Sequence, residues 1–157
     1  MTVLGALTMG DMTPLGWDEV ASRLHAERTV WLATAGADGA PHAAPVWLST
    51  HAGDAYVFTS GASVKARNLR ANPRAVLHSG DGEDVLIVSG RLESLGDPRS
   101  HPDVLAGFAR KYREPGDAEF LPGADPTADS LFRLVPERAM SWRLEDYEGS
   151  QRRWPSA

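Results

Sequence analysis

The sequence predicts a mainly β, α+β fold: an antiparallel β-barrel with peripheral helices. Three observations carry this expectation. Short β-rich runs recur along the chain, separated by turns rich in Gly, Asp and Pro. Three segments with helical spacing or capping signals interrupt them. The length, 157 residues, suits one domain with its own core.

Thr13-Pro14 reads as a helix start, with Thr as N-cap and Pro as first helical residue. Trp17, Val20, Ala21 and Leu24 follow at i, i+3, i+4 and i+7, so an amphipathic helix runs to about Arg28 and packs on the sheet. Thr29–Ala35 is a strand, Ala37–Ala40 a hairpin turn around Asp38-Gly39, and Pro41–Thr50 the returning strand. A turn at His51–Asp54 leads to Ala55–Ser60, where Tyr56 and Phe58 alternate with Val57 and Thr59. These three strands form a meander. Val64–Ala71 is a short helix closed by Asn72-Pro73. Arg74–Ser79 and Val85–Leu95 are strands flanking the turn Gly80–Asp84, with Gly90 marking a bulge or barrel corner. Pro102–Arg113 is helical, with Val104, Leu105, Phe108 and Tyr112 along one side. Glu114–Thr127, with three prolines, is a loop. Ser130–Val135 and Ala139–Leu144 are the last of about six strands, and Glu145–Ala157 is a polar tail. Met1–Met12 has no basic n-region and reads as an N-terminal arm, leaving residues 13–157 as a single domain.

Composition narrows function. With 16 Lys+Arg against 21 Asp+Glu, the formal charge of -5 argues against a general nucleic-acid binder. The absence of cysteine excludes disulfides, thiolate catalysis and Cys-ligated metals. No apolar run is long enough to span a membrane, and a cytoplasmic location is expected. His25, His42, His51, His78 and His101 show no metal-ligand spacing, so no metal site is expected. Asp81, Glu83 and Asp84 read as a solvated hairpin tip. Of the basic residues 14 are Arg, a bias typical of a GC-rich genome, which singles out Lys65 and Lys111.

The segment Ser60–Pro73 carries the chemistry. Ser63 caps a helix whose first N–H groups point outward with the positive dipole end behind them. Lys65 and Arg67 just inside that end are unfavourable unless an anion occupies the site. An exposed basic helix without a ligand is the alternative. Trp17 and Trp31 read as core, whereas Trp47, Trp142 and Trp154 lie near polar or terminal segments, where aromatics serve an interface or stack on a planar ligand, with plain packing the favoured role for each.

The motifs, in order, resemble the pyridoxamine-5′-phosphate-oxidase-like split barrels, the flavin/deazaflavin oxidoreductase family, and its F-420-dependent branch. Trp31–Gly39 (WLATAGADG) matches the opening hairpin and Pro41–Leu48 (PHAAPVWL) the second strand. Tyr56–Thr59 (YVFT) matches the third strand and Ser63–Pro73 (SVKARNLRANP) the phosphate segment. The resemblance implies an antiparallel split β-barrel, a homodimer, and FMN or F-420 bound in clefts at the dimer interface. It implies that Ser63, Lys65, Arg67 and neighbouring Asn68 hold the cofactor phosphate, that Pro45, Val46 and Trp47 line the ring edge, and that Thr59 and Ser60 contact the ribityl or phosphate portion. Gln151, Arg153 and Trp154 resemble the terminal Arg-Trp motif that reaches the partner's cofactor in relatives. The Arg-containing final strand of true pyridoxamine-phosphate oxidases is not matched, so the vitamin-B6 reaction is not expected. The Lys-Ala-Arg-Asn-Leu form of the phosphate segment and the GC-rich signature favour F-420 over FMN. The implied activity is hydride transfer between the cofactor and an unsaturated small molecule, the cofactor supplying the chemistry. His42 and Tyr56 are candidate proton donors. The alternatives are a flavin, F-420 or haem binder without turnover, with His42 or His78 as haem ligand, and a protein-interaction module.

Overall fold

The structure, a computed structural model, describes residues 13–124 and 129–156. The arm expected over Met1–Met12 lies outside the described residues, as does the end of the loop expected over Glu114–Thr127. The elements run α1 (Trp17–Ala26), β1 (Val30–Ala35), β2 (Pro41–Val46), β3 (Leu48–His51), β4 (Asp54–Ser60), α2 (Val64–Ala71), β5 (Arg74–His78), β6 (Asp84–Gly96), α3 (Pro102–Lys111), β7 (Asp129–Arg143) and β8 (Arg152–Trp154). Short 3-10 turns lie at Pro98–Ser100, Asp117–Phe120 and Leu144–Asp146.

All strand pairings are antiparallel, in the order β2-β1-β5-β6-β7-β4-β3, with β8 added to β7. The two end strands, β2 and β3, are consecutive in sequence and joined through Trp47 alone. A flat sheet would hold its edges roughly 29 Å apart, six steps of about 4.8 Å. One residue cannot cover that distance, so the sheet must roll until its edges meet at Trp47. The expected strand Pro41–Thr50 is therefore two strands, and the split in the barrel lies between them. Pro41 and Pro45 are tolerated because β2 is an edge strand.

Other departures have similar tertiary causes. α1 begins at Trp17 behind Gly16, not at Pro14. Leu15 is buried in the core, and the carbonyls of Thr13 and Pro14 accept from the Arg152 guanidinium, which also pairs with Glu19. The expected polar tail thus contributes β8, whose Arg152 clasps the segment before α1 and whose Trp154 packs on Trp17. The two last strands expected around Pro136 are one strand, β7. It tolerates Pro136 because a register shift there leaves Gly90 opposite it. A Cβ at Gly90 would meet the Val135 carbonyl oxygen and come within 3.0 Å of the Pro136 Cα, so the expected bulge is present and requires glycine.

Two apolar layers result. The barrel interior holds Val30, Leu32, Leu48, Val57, Leu77, Val88 and Leu134, closed on one side by Val20 and Leu24 of α1. Val104 and Phe108 of α3, with the adjoining Tyr112, cover a second cluster with Tyr56 and Leu131, against which Trp47, Phe58 and Leu121 pack. The alternation read in β4 is borne out: Val57 faces the barrel, while Tyr56 and Phe58 face α3. Trp31, expected in the core, is 38% exposed. Val30 and Leu32 take the inward positions of β1 and leave Trp31 on the outer face. There it begins, with Pro45, a paired row running Trp31, His78, Ile87, Met140 and Arg153. The ring of His78 stacks on Trp31 at 6.4 Å.

Candidate functional site

α2 spans the residues its end signals specify, with Ser63 as N-cap. The Ser63 hydroxyl oxygen accepts from the Ala66 N–H at 3.1 Å and is hydrogen-bonded to the Thr59 hydroxyl at 3.1 Å. The Ser63 N–H is taken by the Ser60 carbonyl and the Arg67 N–H by the Ser63 carbonyl. Helix geometry leaves the first-turn N–H groups of Val64 and Lys65 without an intrahelical acceptor. No acidic residue stands in that turn, and Lys65 has no ion-pair partner among the described residues. The result is a concentration of unmatched positive charge at one helix end.

That end opens on a cleft of about 600 Å³. One wall is Thr59, Ser60 and Lys65. The second is the barrel seam, Pro45, Val46 and Trp47, with Phe58 beneath. The third is Glu119, Phe120, Leu121 and Ala124, from the loop after α3. Six residues expected at the cofactor therefore converge on one cavity from three separate segments. Its volume lies within the roughly 300–1,000 Å³ of small-molecule pockets.

Trp47 is held rigidly. Its ring stacks on Tyr112 at 4.0 Å and 5°, meets the edge of Phe58, and lies under the Arg28 guanidinium at 5.5 Å. The Tyr112 hydroxyl accepts from the Leu48 N–H at 3.0 Å and donates to the Arg28 carbonyl at 2.7 Å. Burial pushes that hydroxyl up to about 12. Arg28 grips the buried Asp117 through two hydrogen bonds, 2.7 and 3.2 Å, and Asp117 also accepts from the Glu114 N–H. These bonds hold the Asp117 carboxyl below the usual carboxylate range, with the Arg28 hydrogen bonds the largest cause. The third wall is thus pinned to the stem of the seam. Neither Arg28 nor this wall was singled out in the sequence. The partners lie far apart in the chain, and no local signal joins them.

The remaining expected residues stand elsewhere. Arg67 and Asn68 border a second depression of about 470 Å³ on another side of α2, with Gly36, Asp38 and His42. Asn68 is buried and donates to the Thr34 hydroxyl at 3.0 Å, pinning α2 to β1. The His42 Nδ1 atom is buried there without a hydrogen-bond partner. Tyr56 lies in the α3 cluster, where burial raises its hydroxyl above the ordinary value. Arg153 and Trp154 pair with Met140 and Ala139 of β7, whereas the cleft end of β7 pairs Ser130 with Thr59. About ten residues of strand, roughly 30 Å of chain, separate those two points. The Arg70 guanidinium folds back to the Gly61 carbonyl at 3.1 Å, on the N-terminal side of the helix.

A family model described as pyridoxamine 5′-phosphate oxidase matches residues 17–146. The chain belongs to this family. The split-barrel resemblance read from the motifs is thereby borne out. Among solved structures, a conserved hypothetical protein of Mycobacterium tuberculosis is 25% identical, with a TM-score of 0.68 over 87% of this chain and 89% of that one. An F-420 reductase is 22% identical, with a TM-score of 0.62 over 81% of this chain and 98% of its own. The haem storage protein HutZ of Vibrio cholerae is 22% identical, with a TM-score of 0.60 over 76% and 86%. The last two likenesses show the fold alone. Among curated proteins none matches. No helix of the described residues is long and apolar enough to cross a membrane.

Proposed function

We propose that the chain binds F-420 or FMN in this cleft, F-420 being favoured, and that it transfers hydride between the bound ring and an unsaturated small molecule. One observation carries the reading: an unpaired lysine at an acid-free helix N-terminus shares a cleft with a braced tryptophan corner. These residues fit a phosphorylated planar cofactor. Lys65, with the Val64 and Lys65 N–H groups, would hold the phosphate, and Thr59 and Ser60 the polar chain next to it. Pro45, Val46 and Trp47 would line the ring edge, and the Trp47–Tyr112 stack would keep that edge in place and exclude water. The bound cofactor supplies the hydride chemistry. Titrating the purified chain with F-420 and with FMN, followed by fluorescence, tests the reading. Saturable binding, tighter for F-420, is expected, and binding of neither would remove it.

A second reading is a binder without turnover. It is favoured by the cleft's titratable lining, which among the described residues is Lys65 and Glu119, with neither His42 nor Tyr56. Binding with no reduction of quinones or enones, with reduced F-420 or with FMN and NADPH, would establish it. Haem has no histidine in this cleft, so His42 or His78 would have to hold it elsewhere.

The homodimer is part of the proposal. The outer row Pro45, Trp31, His78, Ile87 and Met140 is backed by a second, Ala43, Ala33, Val76 and Ser89. A closed two-fold contact would bury this apolar face and set Arg153, at the end of the first row, against the partner. Sedimentation at about twice 16.9 kDa is expected. A monomer that still binds cofactor would overturn this part alone.

A further inference from the structure

We propose that the Asp117–Phe120 turn, with Leu121 and Ala124 after it, selects the substrate, and that the site takes a planar, neutral or cationic ring in preference to an anionic one. This rests on the cofactor reading of the same cleft. Phe120 is 66% exposed, an unusual position for a large apolar ring, and it stands on the lip of the cavity rather than in either core layer. A phenyl ring kept in water at the mouth of a cleft gains burial when a ligand enters beneath it, and a flat ring gains most because it adds stacking to the burial. Its neighbour Leu121 is fastened into the α3 cluster, and Asp117 is fastened by Arg28, so the turn between them is braced at both ends. Phe120 is thus presented by a fixed wall facing the Trp47 seam.

Charge sets the preference. Lys65 is paired with the cofactor phosphate, which leaves Glu119 as the charged side chain of the lining that an incoming molecule meets, among the described residues. A carboxylate there repels an anion and attracts a cation. At about 5 Å in water-like dielectric, one unit charge changes affinity about fourfold.

A matched naphthalene series tests this: 2-naphthamide, 2-naphthoate and 2-naphthamidine, titrated calorimetrically into the FMN-loaded chain and, in phosphate buffer, into the apo chain. The amidinium is expected to bind best and the carboxylate worst, by about fourfold per step. Glu119→Gln should leave the amide unchanged and strengthen the carboxylate until the spread nearly closes. Phe120→Ala should weaken all three several-fold and keep the spread. An unchanged spread in Glu119→Gln, or unchanged affinities in Phe120→Ala, overturns the proposal. Phe120→Leu, which keeps an apolar side chain of similar reach without the ring, separates stacking from a fold defect. FMN binding with a flat series removes this inference and spares the cofactor reading. The expected series on a chain that binds neither FMN nor F-420 does the reverse.

Discussion

Lys65 sits in the first turn of α2, where the helix dipole repels it; Lys111 sits in the last turn of α3, where the dipole attracts it. The surroundings sharpen the contrast. Lys65 faces a cleft and has no carboxylate partner among the described residues. The Lys111 ammonium is half-buried, donates to the Leu48 carbonyl at 2.5 Å and lies 4.9 Å from the Tyr112 ring centre. Burial lowers Lys111 to about 8. The sequence made both lysines conspicuous for one reason, their rarity among arginines. The difference teaches that a rare cation is informative only together with the charges around it. An unmatched cation in an open cleft calls for a ligand, and one laid against a backbone carbonyl and an aromatic ring is part of the packing.

The largest expected effect falls on the α2 side. Lys65→Ala should lower cofactor affinity tenfold or more, since a charge-assisted phosphate contact is worth about 1.5–3 kcal/mol. Its melting temperature should stay near the parent's, because alanine is the better helix former. Equal affinities of variant and parent would erase the contrast between the two lysines.

On the α3 side the effect belongs to stability. Tyr112→Phe strands the Leu48 N–H and the Arg28 carbonyl beneath a buried ring. Chemical denaturation should show a loss of about 1–3 kcal/mol, with cofactor affinity changed less than by Lys65→Ala. The Lys111 effect is smaller and appears in pH dependence. Below about pH 8 both folded and unfolded chains carry the Lys111 proton, and the folded state bears the cost of burying the charge. Above 8 the folded chain releases the proton while the unfolded chain, at about 10.4, keeps it, so stability climbs with pH. Above about 10 Tyr112 opposes the trend, since it keeps its proton to about 12 when folded and loses it near 10 when unfolded. Lys111→Met should lose the climb between 8 and 10 and match or exceed the parent at pH 7. The same slope in both proteins would show that Lys111 is not the titrating group.

The smallest effect is expected at Arg70. Position along the helix suggests a residue remote from the anion, yet its guanidinium reaches the Gly61 carbonyl before the helix. Arg70→Ala should cost about twofold in affinity, the value of one exposed contact. A loss matching Lys65→Ala would make the Gly61 loop, rather than the lysine, the decisive element.

Local features were legible and distant pairings were not. Ser63 and Asn72-Pro73 mark both ends of α2 because capping is decided within a few residues. Gly90 signalled its bulge, and the alternation in β4 named which side chains face which layer. Thr13-Pro14 misled because Arg152, at the far end of the chain, takes the carbonyls a helix would have used. Trp31 misled because its size suggests burial, while the phase of β1 turns it outward. Within the cleft, the α2 and seam walls were readable as motifs. The wall of Glu119 to Ala124 was not, since its place is set by Arg28 gripping Asp117 from another part of the chain.

The seam at Trp47 also orders events in time. β2 folds back on β1 and β3 on β4, each across a turn of a few residues, so both hairpins are local and their shared corner can form within microseconds. Closure of the barrel depends on pairings that span long stretches of chain, Trp31 with His78 and Val57 with Phe132. Such loops carry the entropy that slows folding. The corner that lines the cleft thus joins two local hairpins, while the Tyr112 ring that braces its Trp47 comes from much farther along the chain. The outer edges of those hairpins, β1 and β4, are taken by β5 and β7, so the barrel around the corner is complete only when these long-range pairings form.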